Sequence, residues 1–405
     1  MSRYLALFYV FICLLVFPSG YQGDLAAWKE MIDGILRHGV SNYYHHFKAP
    51  YMPVLVFLLK GFGTTVDWAY YLNNLYIFKL LPLLFHGGLS WVILHMLKAK
   101  GLGIERTWLF TLNVAILYNA YIWGQIDDIP TFFLILSLCV LMLAVTRLRI
   151  IIIAGALTLL FNTKPQFGIF FSPVLLYLFH RIPDRKGWLI GIGSALTLQF
   201  LLFLPFLHDL PQVWKVMSGS VDLYNYVSNN AYNFQNLILS NEHYYTRDNQ
   251  LLIGSLTYKS VGFLLFFSQY ILLLASWGWL LFRPQKIDNH FQLLILALIL
   301  AGLQFFLFPT QIHERYAHPV IILVGIYTIL FPSPIRLLVY VAISIAYFIN
   351  LEDILRFRGL PNYDIFLMDR RLSAGLYIGV YGYFVYEWIK CITVKKSSSS
   401  PLTQF

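Results

Sequence analysis

Long runs of apolar residues, each near the roughly 20 residues that an α-helix needs to cross a bilayer, recur along this chain and leave it few possible folds. Hydrocarbon offers no hydrogen bonds, so a segment lying in it must satisfy its own backbone, and a helix does that within itself. The runs fall near residues 4–18, 71–97, 107–122, 129–146, 150–162, 166–180, 187–207, 257–282, 291–308, 319–331, 335–351 and 372–390. One crossing for each predicts an all-α, polytopic transmembrane helix bundle of about twelve spans. Composition agrees: with 59% hydrophobic and 12% charged residues, a chain of 405 residues carries more apolar surface than a water-soluble core hides.

The chain shows no linker, so we read residues 1–396 as a single domain with outer loops at 21–70 and 208–256. The serine-rich tail, 397–405, is low-complexity and is expected to be disordered. Arg3 before the first apolar run and Pro18, Ser19 and Gly20 after it resemble a signal peptide. Pro18 makes a poor small-residue cleavage site, so a retained first helix is expected. Cys13, Cys139 and Cys391 lie in apolar stretches without metal-ligand spacing and read as packing residues. The formal charge of +10 is spread between the spans rather than gathered on one surface, which argues against a nucleic-acid partner.

Charge also sets orientation. The connections at 98–106, 147–149, 181–186 and 283–290, with Arg3, Arg336, Lys390, Lys395 and Lys396, gather 15 basic side chains against the acids Glu105, Asp184, Asp288 and Glu387. Short basic connections stay on the cytoplasmic side. Every polar cluster able to do chemistry then falls on the outer face. A transporter more often places its polar site near the bilayer midplane, between repeated halves. An enzyme fed by a lipid-anchored substrate needs its reactive groups at one headgroup plane.

Five clusters lie on that face. In Tyr21–Gly39, Leu25, Trp28, Ile32, Ile35 and Leu36 recur at helical spacing beside charged residues, which predicts a helix lying on the membrane surface. Asp24 at its start reads either as a cap for exposed N–H groups or as a general base for an acceptor hydroxyl. In Tyr118–Phe133, Gln125, Asp127 and Asp128 precede an apolar helix, and capping accounts for one carboxylate rather than two. In Phe161–Gly168, Lys164 stands at the end of a span, where it either snorkels to the interface or binds an anion. In Pro309–Pro319, His313, Glu314, Arg315 and His318 interrupt two apolar helices without zinc-protease spacing. An Arg beside a His there suits a phosphate, since Arg offers paired donors, although an ion pair of Glu314 with Arg315 is the structural alternative. The loop from His208 to Ser260 is rich in Asn, Tyr and Ser, side chains that suit a sugar or peptide and equally a solvated lid.

These clusters, in this order, resemble the GT-C glycosyltransferase superfamily. WGQIDDIPTFF at 123–133, NTKPQ at 162–166, NNAYN at 229–233 and HERY at 313–316 carry the resemblance. They are similar to bacterial relatives of the second mannosyltransferase of GPI-anchor synthesis and to the dolichyl-phosphate-glucose-dependent glucosyltransferases of N-glycan assembly. The resemblance implies a polyprenyl-phosphate hexose donor, with mannose favoured over glucose, and a glycolipid, glycan or protein acceptor. It implies an active site on the outer face of a bacterial cytoplasmic membrane, or on the lumenal face of the endoplasmic reticulum in a eukaryote. Carried across, Asp24 is the base and Lys164, His313 and Arg315 bind the donor phosphate. Gln125, Asp127 and Asp128, with Gln166, Asn230, Asn233 and Glu314, form the sugar and acceptor pocket.

Where that family has two acids in its first loop, this chain has Gly23 and Asp24, which favours an inverting displacement with one base. No metal or cofactor is expected, because a polyprenyl-phosphate leaving group carries less charge than a nucleoside diphosphate and can be met by cationic side chains. A lipid-linked-sugar flippase or another transporter is the alternative, and it would continue polar residues through the membrane core.

The orientation is testable. In intact cells, a thiol probe that cannot cross membranes should label a cysteine placed at Asn230 and spare one placed at Asn289; the reverse pattern would refute the expected sidedness.

Overall fold

The computed structural model describes residues 7, 9–14, 17–18, 22–49, 51–144, 146–182, 184–219, 224–239, 246–283, 289–356 and 368–393. The expected disordered tail lies outside them, as do Arg3, Ser19, Gly20 and most of the basic connection at 283–290. The described residues are almost entirely helical, apart from loops and one short hairpin, Leu251–Ile253 with Leu256–Thr257. The longer helices are α1 (Gln22–His38), α2 (Pro53–Thr65), α3 (Leu80–Ala99), α4 (Asp128–Leu141), α5 (Arg147–Phe161) and α6 (Phe171–Arg181). After them come α7 (Arg185–Phe203), α8 (Tyr258–Phe282), α9 (His290–Leu307), α10 (His318–Leu330), α11 (Pro334–Leu355) and α12 (Arg370–Thr393).

Local chemistry explains where several of them begin. Thr146, Asp184, Thr257 and Asn289 each accept a hydrogen bond from a backbone N–H in the first turn of α5, α7, α8 and α9. Such caps satisfy donors that the helix itself leaves open. Proline occupies the first turn of α2, α10 and α11, where its missing N–H costs nothing.

The helices α9 and α10 are apolar all round, and a helix of that kind belongs in the middle of a bundle. They pack on each other, α9 also against α6, α8 and α12, and α10 against α3, α4 and α11. At the other extreme, the continuous helical stretch Arg185–Gly219 is equally apolar, yet only 6% of its most apolar window is covered by protein, against 83% for α9. Leu196 and Trp214 on it are exposed. In water this would be a large adhesive patch; against hydrocarbon it is an ordinary surface. Five described helices, including these two, are long and apolar enough to cross a membrane.

Two expectations change. The apolar run at 107–122 is not one helix: Asn113 accepts from the N–H groups of Ala115 and Ile116 and starts a new turn, which passes into a π-helical stretch, Tyr118–Trp123, that stops at Gly124 with φ +80°. The segment 21–70 is largely helical rather than loop, and the apolar stripe of α1 lies against α2 and Leu75–Lys79. Leu25, Trp28, Ile32 and Ile35 are thus buried by protein, and only Leu36 of that stripe faces out.

Gly302 of α9 faces α10 so closely that a Cβ there would lie 2.5 Å from Val320 Cγ2. Gly193 of α7 faces open space. Gly302→Leu should destabilise the protein by about 1–3 kcal/mol through overpacking, whereas Gly193→Leu should leave it unchanged; thermal unfolding of both variants in detergent decides.

Candidate active site

The connection between the π-helical stretch and α4 is short, and Gly124 in the left-handed region lets it turn so that Trp123 and Gln125 both point at α1. Asp24, in the first turn of α1, receives both. Trp123 Nε1 donates to its Oδ2 at 2.6 Å and Gln125 Nε2 to the same oxygen at 2.8 Å. Among the described residues no backbone N–H of α1 takes the carboxylate as a cap. Its side chain is partly exposed, and Oδ1 carries no protein donor there.

Asp127 and Asp128 follow two and three residues later and diverge, because successive residues of a helical turn project about 100° apart. Asp127 is buried and forms an ion pair with Lys164, which is also buried at the end of α5. Asn119 Nδ2 lies 3.4 Å from the other Asp127 oxygen. Burial works against the charge on Asp127, but Lys164 and Arg315 outweigh it and hold the carboxyl below its usual range. Lys164, expected to face a donor phosphate, is thus committed first to Asp127.

Asp128, expected in the same pocket, turns inward instead. Its Oδ1 lies 2.7 Å from His318 Nε2 and its Oδ2 3.3 Å from His86 Nδ1, all three side chains being buried. His318 Nδ1 lies 3.1 Å from the Tyr347 hydroxyl. These groups form a second polar layer beneath the first.

The tip of the α9–α10 hairpin closes the other side. Glu314 is buried, with Arg315 Nη1 at 3.4 Å from its Oε1 and His313 Nδ1 at 3.9 Å from its Oε2. Burial raises the Glu314 carboxyl, and the neighbouring His313 and Arg315 more than reverse that. Burial lowers His313. For Arg315 burial opposes the charge, while Glu314 and Asp127 reinforce it, so the guanidinium stays a cation. Arg315 keeps a buried Nε with no partner among the described residues. Its other contact, to Glu314, is long, so paired donors are left for an anion.

His313 is braced by the long loop: Asn229 Nδ2 lies 2.7 Å from its Nε2, and both Asn229 and Asn230 form backbone bridges with it. Asn230 takes φ +71°, and its carbonyl accepts from Asn350 Nδ2 at 2.8 Å. Asn233 is buried; its amide donates to the Phe306 carbonyl at 3.2 Å and its oxygen accepts from Gln235 N–H. The Asn233 side chain therefore anchors the loop to α9 rather than facing a sugar, and the Asn230 backbone anchors it to α11. Gln166 sits apart, beside Phe170, Gly302 and Tyr316.

Several members lie outside the expected set. Trp123 holds Asp24 and is conspicuous in the sequence only as the start of WGQ. Tyr51 lies within electrostatic reach of Arg315, Asp127 and Asp24, and burial raises its hydroxyl, with Arg315 opposing. It is set there by the Val54 N–H, which donates to the Asn162 carbonyl at 3.0 Å and ties its segment to the NTKPQ stretch. Burial likewise pushes the Tyr316 hydroxyl up to about 12, again against Arg315. Glu352 and Asp353, buried at the end of α11, take hydrogen bonds from Tyr118 and Tyr232. Their signal was two acids at the end of an apolar run. Asn119 and His86 gave no signal beyond their residue type.

No protein-family model matches this chain, and no curated protein matches it.

The assembled site is three carboxylates, Asp24, Asp127 and Glu314, and two cations, Lys164 and Arg315, with Tyr51 in reach of Asp24, Asp127 and Arg315. Asp127→Asn should destabilise the protein by about 3–5 kcal/mol, because it leaves the Lys164 ammonium buried without its partner. Lys164→Met added to it should restore most of that. The contribution of Asp127 is complete above about pH 3.9, the value of an unfolded aspartate, and is lost as pH falls through its lower folded value. Thermal unfolding at descending pH should therefore show the gap between wild type and Asp127→Asn closing only in acid below about pH 4; a gap that closes near neutrality refutes the ion pair.

Proposed function

We propose that this chain is a membrane glycosyltransferase of GT-C type, a bundle of about twelve spans that transfers a hexose from a polyprenyl-phosphate donor to an acceptor hydroxyl on the extracytoplasmic or lumenal face. Mannose is favoured over glucose, and the acceptor is a glycolipid, glycan or protein. The observation that carries this reading is the Asp24 carboxylate, held through one oxygen by Trp123 and Gln125 while the other has no donor among the described residues. A carboxylate that was only a structural cap would be spent on backbone N–H groups; this one is oriented by two side chains, as a general base must be.

In that reading, Asp24 Oδ1 takes the proton of the acceptor hydroxyl as its oxygen attacks the anomeric carbon. The bond from that carbon to the phosphate oxygen breaks on the opposite face, so configuration inverts. The electron pair leaves with the polyprenyl phosphate, and Arg315, with its uncommitted Nε, meets the charge that develops. Lys164 adds to the same field from within its pair with Asp127, and His313, fixed by Asn229, borders it.

Purified Asp24→Asn protein, shown to be folded and to bind donor lipid, tests the assignment. The amide can still meet Trp123 or Gln125 with its oxygen but cannot accept the proton. Transfer from polyprenyl-phosphate-mannose or -glucose should fall by about 10²- to 10⁴-fold, the usual loss for a general base. Activity within a few-fold of wild type would remove Asp24 from the chemistry.

A further inference from the structure

Beneath the Asp24 clamp, Asn119 touches both halves of the site. It lies in the π-helical stretch and is buried. Its carbonyl accepts from the N–H groups of Gly124 and Gln125, the latter at 3.0 Å, and Gln125 is the residue whose side chain holds Asp24. Its side-chain Nδ2 lies 3.4 Å from Asp127 Oδ2 and 3.3 Å from His318 Nδ1. Asp127 in turn holds Lys164, and His318 is held by Asp128.

The orientation of this amide is dictated by its neighbours. Its own Oδ1 is buried without a partner among the described residues, so the side chain does not sit as it does to satisfy itself. Turned over, it would set a carbonyl oxygen against the Asp127 carboxylate. With the NH₂ group toward His318, Nδ1 accepts from Asn119 when the imidazole proton sits on Nε2, which then donates to Asp128 Oδ1, and the Tyr347 hydroxyl lies 3.1 Å from the same Nδ1. Asn119 then donates both ways, up to Asp127 Oδ2 and down to His318 Nδ1, and His318 donates on to Asp128, so the four groups form one connected chain with the Asn119 amide at its branch point.

We propose that Asn119 and His318 are positioning residues: together they transmit the fixed geometry of the buried Asp128 to the Asp127–Lys164 pair and hold that pair in register with the Asp24–Gln125 clamp. Neither touches the reacting atoms. The effect on turnover rests on the glycosyl-transfer reading; the effect on Lys164 does not.

Full-length Asn119→Ala, His318→Gln and the double variant, purified in detergent, separate the two. Gln at 318 can still donate to Asp128 but offers Asn119 no ring nitrogen. The first readout is acylation of Lys164 by a small amine-reactive reagent, followed by peptide mass spectrometry, with buried Lys79 as the control for general loosening. Each single variant should raise Lys164 acylation by about threefold or more, and the double variant no further than the larger single, because both cut one link. Lys79 should not change.

The second readout is transfer from polyprenyl-phosphate-mannose or -glucose, where each variant should lower kcat by about tenfold with KM within about twofold, as expected for lost alignment rather than lost binding. Unchanged Lys164 acylation, multiplying effects in the double variant, a parallel rise at Lys79, or a kcat equal to wild type would each overturn the proposal. If wild type transfers neither sugar, the enzymatic reading fails, and the acylation pattern still decides whether Asn119 and His318 position Lys164.

Discussion

An ammonium group enclosed by protein and lipid is costly unless an anion lies beside it, and the pairing of Lys164 with Asp127 is the constraint on which the polar end of this molecule depends. Each ion is buried, so neither tolerates the loss of the other. Their attraction pins the connection before α4 to the end of α5, two segments far apart in sequence. It also sets a cation in a place where Arg315 adds a second. Like charges held close are unfavourable by themselves. Asp127 and Glu314 between them make the arrangement stable, and an anionic ligand would make it more so.

The apolar part of the fold serves this end. Because α9 and α10 are apolar on every side, they occupy the centre, and the turn joining them carries His313, Glu314 and Arg315 to the middle of the site rather than to its rim. Irregular backbone gathers around the site: the π-helical stretch and the left-handed Gly124, Asn230 and Gln311. Non-helical backbone is tolerated near a membrane where protein or a polar cavity satisfies it, and strained conformations persist where surrounding bonds over-determine them. Asn230 is an instance, held by its bridge to His313 and by Asn350.

Most of the helices were legible because a span declares itself by an average over many residues. The exceptions were the short ones. Pro53–Thr65, with 13 residues, falls below the length of a span, and its role as the partner of α1 follows from Gly63, where Ile32 and Leu36 crowd in. The break at Asn113 rests on one side chain inside an apolar run. In the site, Asp24, Gln125, Asp127, Lys164 and Arg315 stood out because ionisable or amide groups are costly beside hydrocarbon. Tyr51 and Trp123 did not, since the chain has 28 Tyr and 10 Trp and their mere presence separates nothing.

The amino-acid sequence by itself determined the solvent, the helical class and the list of polar residues that a membrane helix would not carry without cause, because hydrophobicity and helical period are local sums. Only the tertiary structure decided which of those residues meet. Lys164 chooses Asp127, Asp128 turns away to His318 and His86, Asn233 is spent on a carbonyl of α9, and Asp24 is clamped by residues about a hundred positions downstream. Pairing of this kind depends on distances between helices that touch only after the bundle has packed, and no periodicity along the chain records it.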